Sequence, residues 1–258
     1  MKEYVGQMLV RKDLLLYLVS SGLKAQHRNS FLGYLWWLLN PLLGVLIYYF
    51  MVAIVFQRGG ADYVLNLVIG LTVWRWLQAA VSTATRSIVS QAGIISQVYL
   101  PKAMFPLGVV LTQLVNFGFG MIVVALFLAA AAHVPGLALL WLPLIVLTQF
   151  LLLVAICMVI AYVSVFVRDM ENVVNHVLQL WFYVSPIIWT GITLPAKLTW
   201  VLAMNPMAHV VSAYRDVILH NTNPNTAALF IVAVSAVLAI LTMIHVYSRY
   251  EHRLIKVL

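Results

Sequence analysis

Residues 137–167 read LALLWLPLIVLTQFLLLVAICMVIAYVSVFV, 31 residues without one charged side chain. A helix rises about 1.5 Å per residue and needs about 20 largely apolar residues to cross about 30 Å of hydrocarbon. This stretch is long enough, and the lone cysteine, Cys157, sits deep within it as small apolar packing. The chain around it has 258 residues, 64% hydrophobic and 9% charged, with a mean hydropathy of +1.01. Soluble domains average about 45–50% apolar and about 25% charged residues. The polar side chains are therefore too few to coat a water-facing globule. Disorder, collagen and coiled coil are excluded by composition, and a disulfide scaffold by the single cysteine. The chain reads as an all-α integral membrane protein.

Working outward, uncharged runs at 31–56, 103–132 and 227–247 are also long enough to span. Residues 63–85 qualify with one interrupting charge, Arg75. A sixth run, 172–196, is broken by Pro186, Gly191 and Pro195, and its spanning part is taken as 172–190. A shorter run, 198–214, is split by Asn205-Pro206, where proline removes a backbone donor and clashes with the preceding turn. It reads as part of a re-entrant pair of short helices over 195–220. With six spans and both termini cytoplasmic, the inside segments hold Lys2, Arg11, Lys12, Lys24, Arg28, Arg86, Lys102, Arg168, Arg249, Arg253 and Lys256. The outside segments hold only Arg58, Lys197 and Arg215. A seventh span would move three of the inside cations out and weaken that bias. The net charge of +8 thus reflects cytoplasmic and headgroup contacts rather than nucleic acid.

Residues 1–29 are too broken by charge for a span or signal peptide. Val5, Met8, Leu9, Leu16, Val19 and Leu23 recur at roughly helical spacing, with Lys12, Lys24 and Arg28 placed for lipid headgroups. This predicts a helix lying in the membrane interface. No linker or repeat divides the chain, so 1–258 is one membrane domain.

The residues offer little for catalysis. None of the seven acidic residues lies in the middle of a span, and the seven histidines are scattered. There is no H-E-x-x-H, no G-x-S-x-G, no metal-binding D-x-D and no P-loop, since no glycine precedes a lysine. Nor does any span carry the buried acids of an ion-coupled carrier. An energy source on another subunit is expected. Arg75, inside Trp74-Arg75-Trp76, is the one charge at mid-span depth, where insertion costs about 2.5–3.5 kcal/mol. Either it snorkels outward between belt tryptophans, or it faces a polar pathway. Aromatic residues such as Tyr48, Trp181 and Tyr183 are candidates to line that pathway, because apolar faces of sugar rings pack well on aromatic rings.

Several short motifs occur in one order along the chain: Leu23-Lys24, Arg28, Ser30, Leu32-Gly33, Trp36 and Asn40-Pro41. They continue with Val98-Tyr99-Leu100-Pro101-Lys102, Phe105-Pro106, Phe166, Arg168-Asp169, Ser185-Pro186, Asn205-Pro206 and Tyr214-Arg215. Together they resemble ABC-2 type permeases that export polysaccharides, the group moving O-antigen, capsule and teichoic-acid polymers. His27, where the family often has an aromatic, and Arg75 depart from its pattern. The resemblance implies a homodimer of six-span subunits in the bacterial cytoplasmic (inner) membrane. Each would pair with a separate ABC ATPase, present in two copies, which binds ATP and Mg; this chain would hold no cofactor and no metal. It further implies a cytoplasmic coupling helix at Ser96, Gln97, Val98, Tyr99, Leu100, Pro101 and Lys102, with Arg168 and Asp169 as further candidates for coupling to the ATPase. Lys24 and Arg28 are the candidates to receive the phosphate of a lipid-linked polysaccharide, or else they only orient the helix. The passage would include Tyr48, Trp74, Arg75, Trp76, Trp181 and Tyr183. The alternatives are an ABC-2 permease for a drug or small lipid, or a passive channel or scaffold.

Overall fold

The computed structural model describes residues 2–27, 33–55, 61–95, 100–189 and 199–257, and among these there is helix and no strand. Two short helices, α1 (Lys2–Val10) and α2 (Lys12–His27), come first. The expected single interfacial helix is thus divided at Arg11. Asp13 lies in the first turn of α2, where a carboxylate favours a new helix start. Met8, Leu14 and Leu18 pack against the core, while Leu9 and Leu16 of the anticipated apolar stripe point outward.

The bundle follows: α3 (Trp36–Tyr49), α4 (Ala61–Ala84), a short α5 (Ala92–Ile95), α6 (Met104–Ala130), α7 (Leu142–Phe166) and α8 (Met170–Val184). After residues 190–198, which lie outside the described residues, come α9 (Thr199–Met204), α10 (Pro206–Ile218) and α11 (Thr226–Val257). Among the described residues four helical segments are long and apolar enough to cross a membrane: 62–84, 104–130, 137–166 and 226–251. The anticipated spans 31–56 and 172–190 appear as shorter helices. The first is α3, which contains Pro41 and passes into a π-helical turn at Phe50–Val55. The second is α8, which stops at Ser185-Pro186, where proline disfavours helix in the residue before it.

The helix α4 is central, packing on α3, α6, α7, α8 and α10. Of its apolar stretch 67% is buried, against 22% for the peripheral α11. In the core of the bundle the buried Gln149 of α7 donates its amide N–H to the Val73 carbonyl of α4 at 3.0 Å. The last helix packs along α7 and runs ten residues past the anticipated end at 247. The extension has a reason in packing: Tyr247, Glu251 and Leu254 form a buried stripe at helical spacing.

The bundle has two distinct ends. At the base, α1, the start of α6 and the last turns of α11 meet. At the opposite end Asn205 starts α10. Its side-chain oxygen accepts from the backbone N–H groups of Met207 (3.0 Å) and Ala208 (3.4 Å). That is the capping role asparagine fills at helix starts, with proline at the first helical position. The anticipated break at Asn205-Pro206 is therefore a helix boundary.

Candidate functional site

Two cavities flank one side chain. The larger, about 410 Å³, lies between α3, α4 and α8. Its polar wall is Arg75, Gln78, Asn175 and Gln179, and its aromatic wall is Tyr48, Trp74, Phe182 and Tyr183. The rings lock one another: Phe182 meets Trp74 at 5.5 Å, Tyr48 at 5.6 Å and Tyr183 at 5.4 Å between centroids. The second cavity, about 320 Å³, lies between the end of α2, α3, α4 and α6, and is lined by Gln26, Asn40, Gln113 and Asn116 with Trp36 and Trp76. Its amides are ordered, since Asn116 donates to Gln26 at 2.9 Å and to Gln113 at 2.7 Å.

Arg75 lines both cavities. Successive helical residues point about 100° apart, and the structure uses that rotation. Trp74 turns toward α8, edge-on to Trp181 at 5.8 Å, and Trp76 turns toward α6, stacked on Phe117 at 4.6 Å. Arg75 is left facing α3, where an added Cβ on Gly44 would lie 3.6 Å from its Nη1. Among the described residues no side chain or carbonyl takes a hydrogen bond from this guanidinium and no carboxylate pairs with it. Pro41 lies on the rim of both cavities, so the backbone irregularity of α3 falls where polar space is available.

The remaining candidates are placed as follows. Trp181 lines neither cavity; its indole N–H donates to Asn205 at 2.9 Å and so belongs to the support of α10. Lys24 is exposed on α2, while Arg28 lies outside the described residues. Ser96, Gln97, Val98 and Tyr99 also lie outside them. Leu100, Pro101 and Lys102 turn into the chain's own interior rather than outward. Arg168 and Asp169 are exposed in the tight turn between α7 and α8, beside Glu171, which pairs with Arg86 in the turn after α4 at 2.5 Å. Ser82 of α4 donates to Asn175 of α8 at 2.9 Å, so a second polar contact ties the α4 side to α8 beside the larger cavity. Among the described residues no three His, Cys, Asp or Glu side chains gather as a metal site.

Sequence reasoning passed over the polar residues that share the larger cavity with Arg75. Gln78, Asn175 and Gln179 are exposed amides on helices, and only their convergence with aromatic rings marks them. Asn175 and Gln179 stand four apart on α8, and Gln78 one turn from Arg75 on α4. An amide stripe opposite an aromatic stripe was the available signal.

Long apolar helices around polar cavities define a multi-pass membrane protein. The sequence profile of the ABC-2 type transporter family matches residues 13–219. The chain belongs to that family and is a membrane transport subunit. Among curated proteins it is 28% identical to an O-antigen export system permease protein RfbA of Klebsiella pneumoniae, over 100% of this chain and 98% of the relative. A Myxococcus xanthus protein of the same name is 29% identical over 92% of this chain and 93% of its own length.

Proposed function

We propose that the chain is the membrane-spanning subunit of an ATP-driven exporter of a lipid-linked polysaccharide. The observation that carries this reading is full-length similarity to permeases named for O-antigen export. In this reading two copies pair in the bacterial cytoplasmic membrane, each with six spans, α3 and α8 serving as the two shorter ones. Both termini are cytoplasmic, and α9 with α10 forms the re-entrant segment on the far side. Two copies of a separate ABC ATPase bind ATP and Mg and engage the segment 96–102 and the turn at Arg168-Asp169.

The cavity chemistry supports a glycan as cargo. Amide groups exchange hydrogen bonds with hydroxyls, and aromatic faces pack on sugar C–H surfaces without demanding one sequence of sugars. Arg75 supplies donors for hydroxyl or anionic groups, and Lys24 with Arg28 suits the phosphate of the lipid carrier. A low-charge, aromatic wall holds each sugar weakly enough for a polymer to slide.

Reconstitution with the ABC ATPase in lipid vesicles tests the reading. A lipid-linked polysaccharide is expected to stimulate ATP hydrolysis and to become accessible on the other leaflet only when ATP is present. Stimulation by a drug or a short lipid but not by the polymer would replace this cargo. Passage without any ATPase would make the chain a channel.

A further inference from the structure

At the base of the bundle a charged pair is buried where packing alone would serve. Lys102 is fully buried and Glu251 is 5% exposed, with Nζ and Oε1 3.1 Å apart. The same Oε1 accepts the backbone N–H of Lys102 at 3.2 Å. One residue later the N–H of Ala103 donates to the Tyr4 hydroxyl at 3.2 Å. Two consecutive backbone groups thus hold α1 and α11 to the start of α6. Leu100, Met104, Tyr247 and Leu254 shut out water around them.

Burying two ions is costly, and well-packed apolar side chains of similar volume are commonly as stabilising or more so. What the pair adds is direction. A single carboxylate oxygen that accepts the backbone N–H of Lys102 and pairs with the ammonium of the same residue fixes the height and rotation of α11 against the start of α6. A slip of one residue along the helix, about 1.5 Å, would break both bonds at once. The surface pair Arg86–Glu171 lacks this property, because its side chains are 73% and 36% exposed and screened by water.

We propose that Lys102 and Glu251 are a positioning pair that makes α11 move as one body with residues 100–102 and the start of α6. A displacement imposed on 96–102 by the ATPase then passes to α11, and from α11 to α7, on which it packs. The proposal rests on the reading that the ATPase engages 96–102. Neither residue touches cargo; both act through the helix they hold.

Two variants in the reconstituted complex decide it. Glu251→Gln keeps the shape and an acceptor for the Lys102 N–H but removes the charge. It is expected to insert and to co-purify with the ATPase as the parent does, while export falls about tenfold and more ATP is consumed per polymer moved. The double variant Lys102→Met, Glu251→Leu is expected to melt no lower than the parent and still to export about tenfold less. Export within twofold of the parent by either variant overturns the proposal. Loss of folded protein in both overturns it too, because the pair would then serve folding alone. The underlying reading fails separately: a Tyr99→Asp, Leu100→Asp variant that still retains the ATPase would sink the engagement at 96–102, whatever Glu251 does.

Discussion

Arg75 and Arg215 meet the same central helix and are treated in opposite ways. Arg215, on α10, is buried and spends its donors on backbone: the Asn66 carbonyl of α4 at 3.0 and 3.3 Å, Pro186 at 2.6 Å and Ile187 at 3.1 Å. It ties α10 to α4 and to the broken end of α8, satisfying carbonyls that the proline leaves without helical partners. Arg75, two and a half turns along α4 from Asn66, has no such partners among the described residues and opens onto two cavities. A guanidinium with all three nitrogens bonded to backbone is scaffold; one whose donors face polar space is available to a ligand.

That contrast is broken most forcefully at Arg215. Arg215→Leu takes the guanidinium partner from the Pro186 and Ile187 carbonyls beyond the end of α8 and unties Asn66 of α4, and each orphaned group costs about 1–3 kcal/mol. The variant is expected to lose most of its folded protein and its export, measured by detergent-solubilised yield and size exclusion. Normal yield would refute the scaffold role. Arg75→Leu is expected to insert, melt and bind the ATPase as the parent does, yet export about tenfold less polymer, a loss of about 1.4 kcal/mol of interaction. Unchanged export would remove Arg75 from the pathway and return it to snorkelling.

The neighbouring glycines sharpen the same comparison at smaller amplitude. A Cβ on Gly70 would lie 2.6 Å from Arg215 Nη2 and 3.3 Å from Ile187 Cγ2. The guanidinium is pinned, so Gly70→Ala forces the knot apart and is expected to cost about 1–3 kcal/mol, read as a lowered melting temperature. A Cβ on Gly44 meets Arg75 Nη1 at 3.6 Å, an ordinary contact with a side chain free to move. Gly44→Ala is expected to change stability by less than about 1 kcal/mol, with helix propensity in its favour. A large drop there would mean that Arg75 is held as firmly as Arg215.

The sequence disclosed what is local. Apolar runs marked the long helices, and Asn205-Pro206 marked a helix start, because capping and proline act within a few residues. The break at Arg11 was less visible, since a carboxylate in a first turn is a weak signal within a continuous amphipathic pattern. Contacts between distant segments were invisible. Lys102 and Glu251 are 149 positions apart, and charge counting saw in Lys102 only one more inside cation. Arg215 likewise counted as an outside charge, although its role depends on where Pro186 leaves bare carbonyls. Arg75 stood out because its depth is encoded by its distance from both ends of one span. Which amides would face it depended on α8 folding back beside α4.

Asn205 has a consequence of another kind. Its side chain joins the end of α8 to the start of α10, accepting from Trp181 and the first turn of α10 and donating to Ser185 at 3.0 Å. Asparagine ages chemically when the next backbone nitrogen attacks its amide and forms a cyclic imide. Here that nitrogen belongs to Pro206 and carries no hydrogen to lose. The residue on which the junction turns is thus closed to this covalent clock, as Asn40 and Asn223 are before their own prolines, whereas Asn221 and Asn225, each followed by threonine, are not. In an old preparation the loop before α11 should acquire aspartate while the start of α10 stays intact.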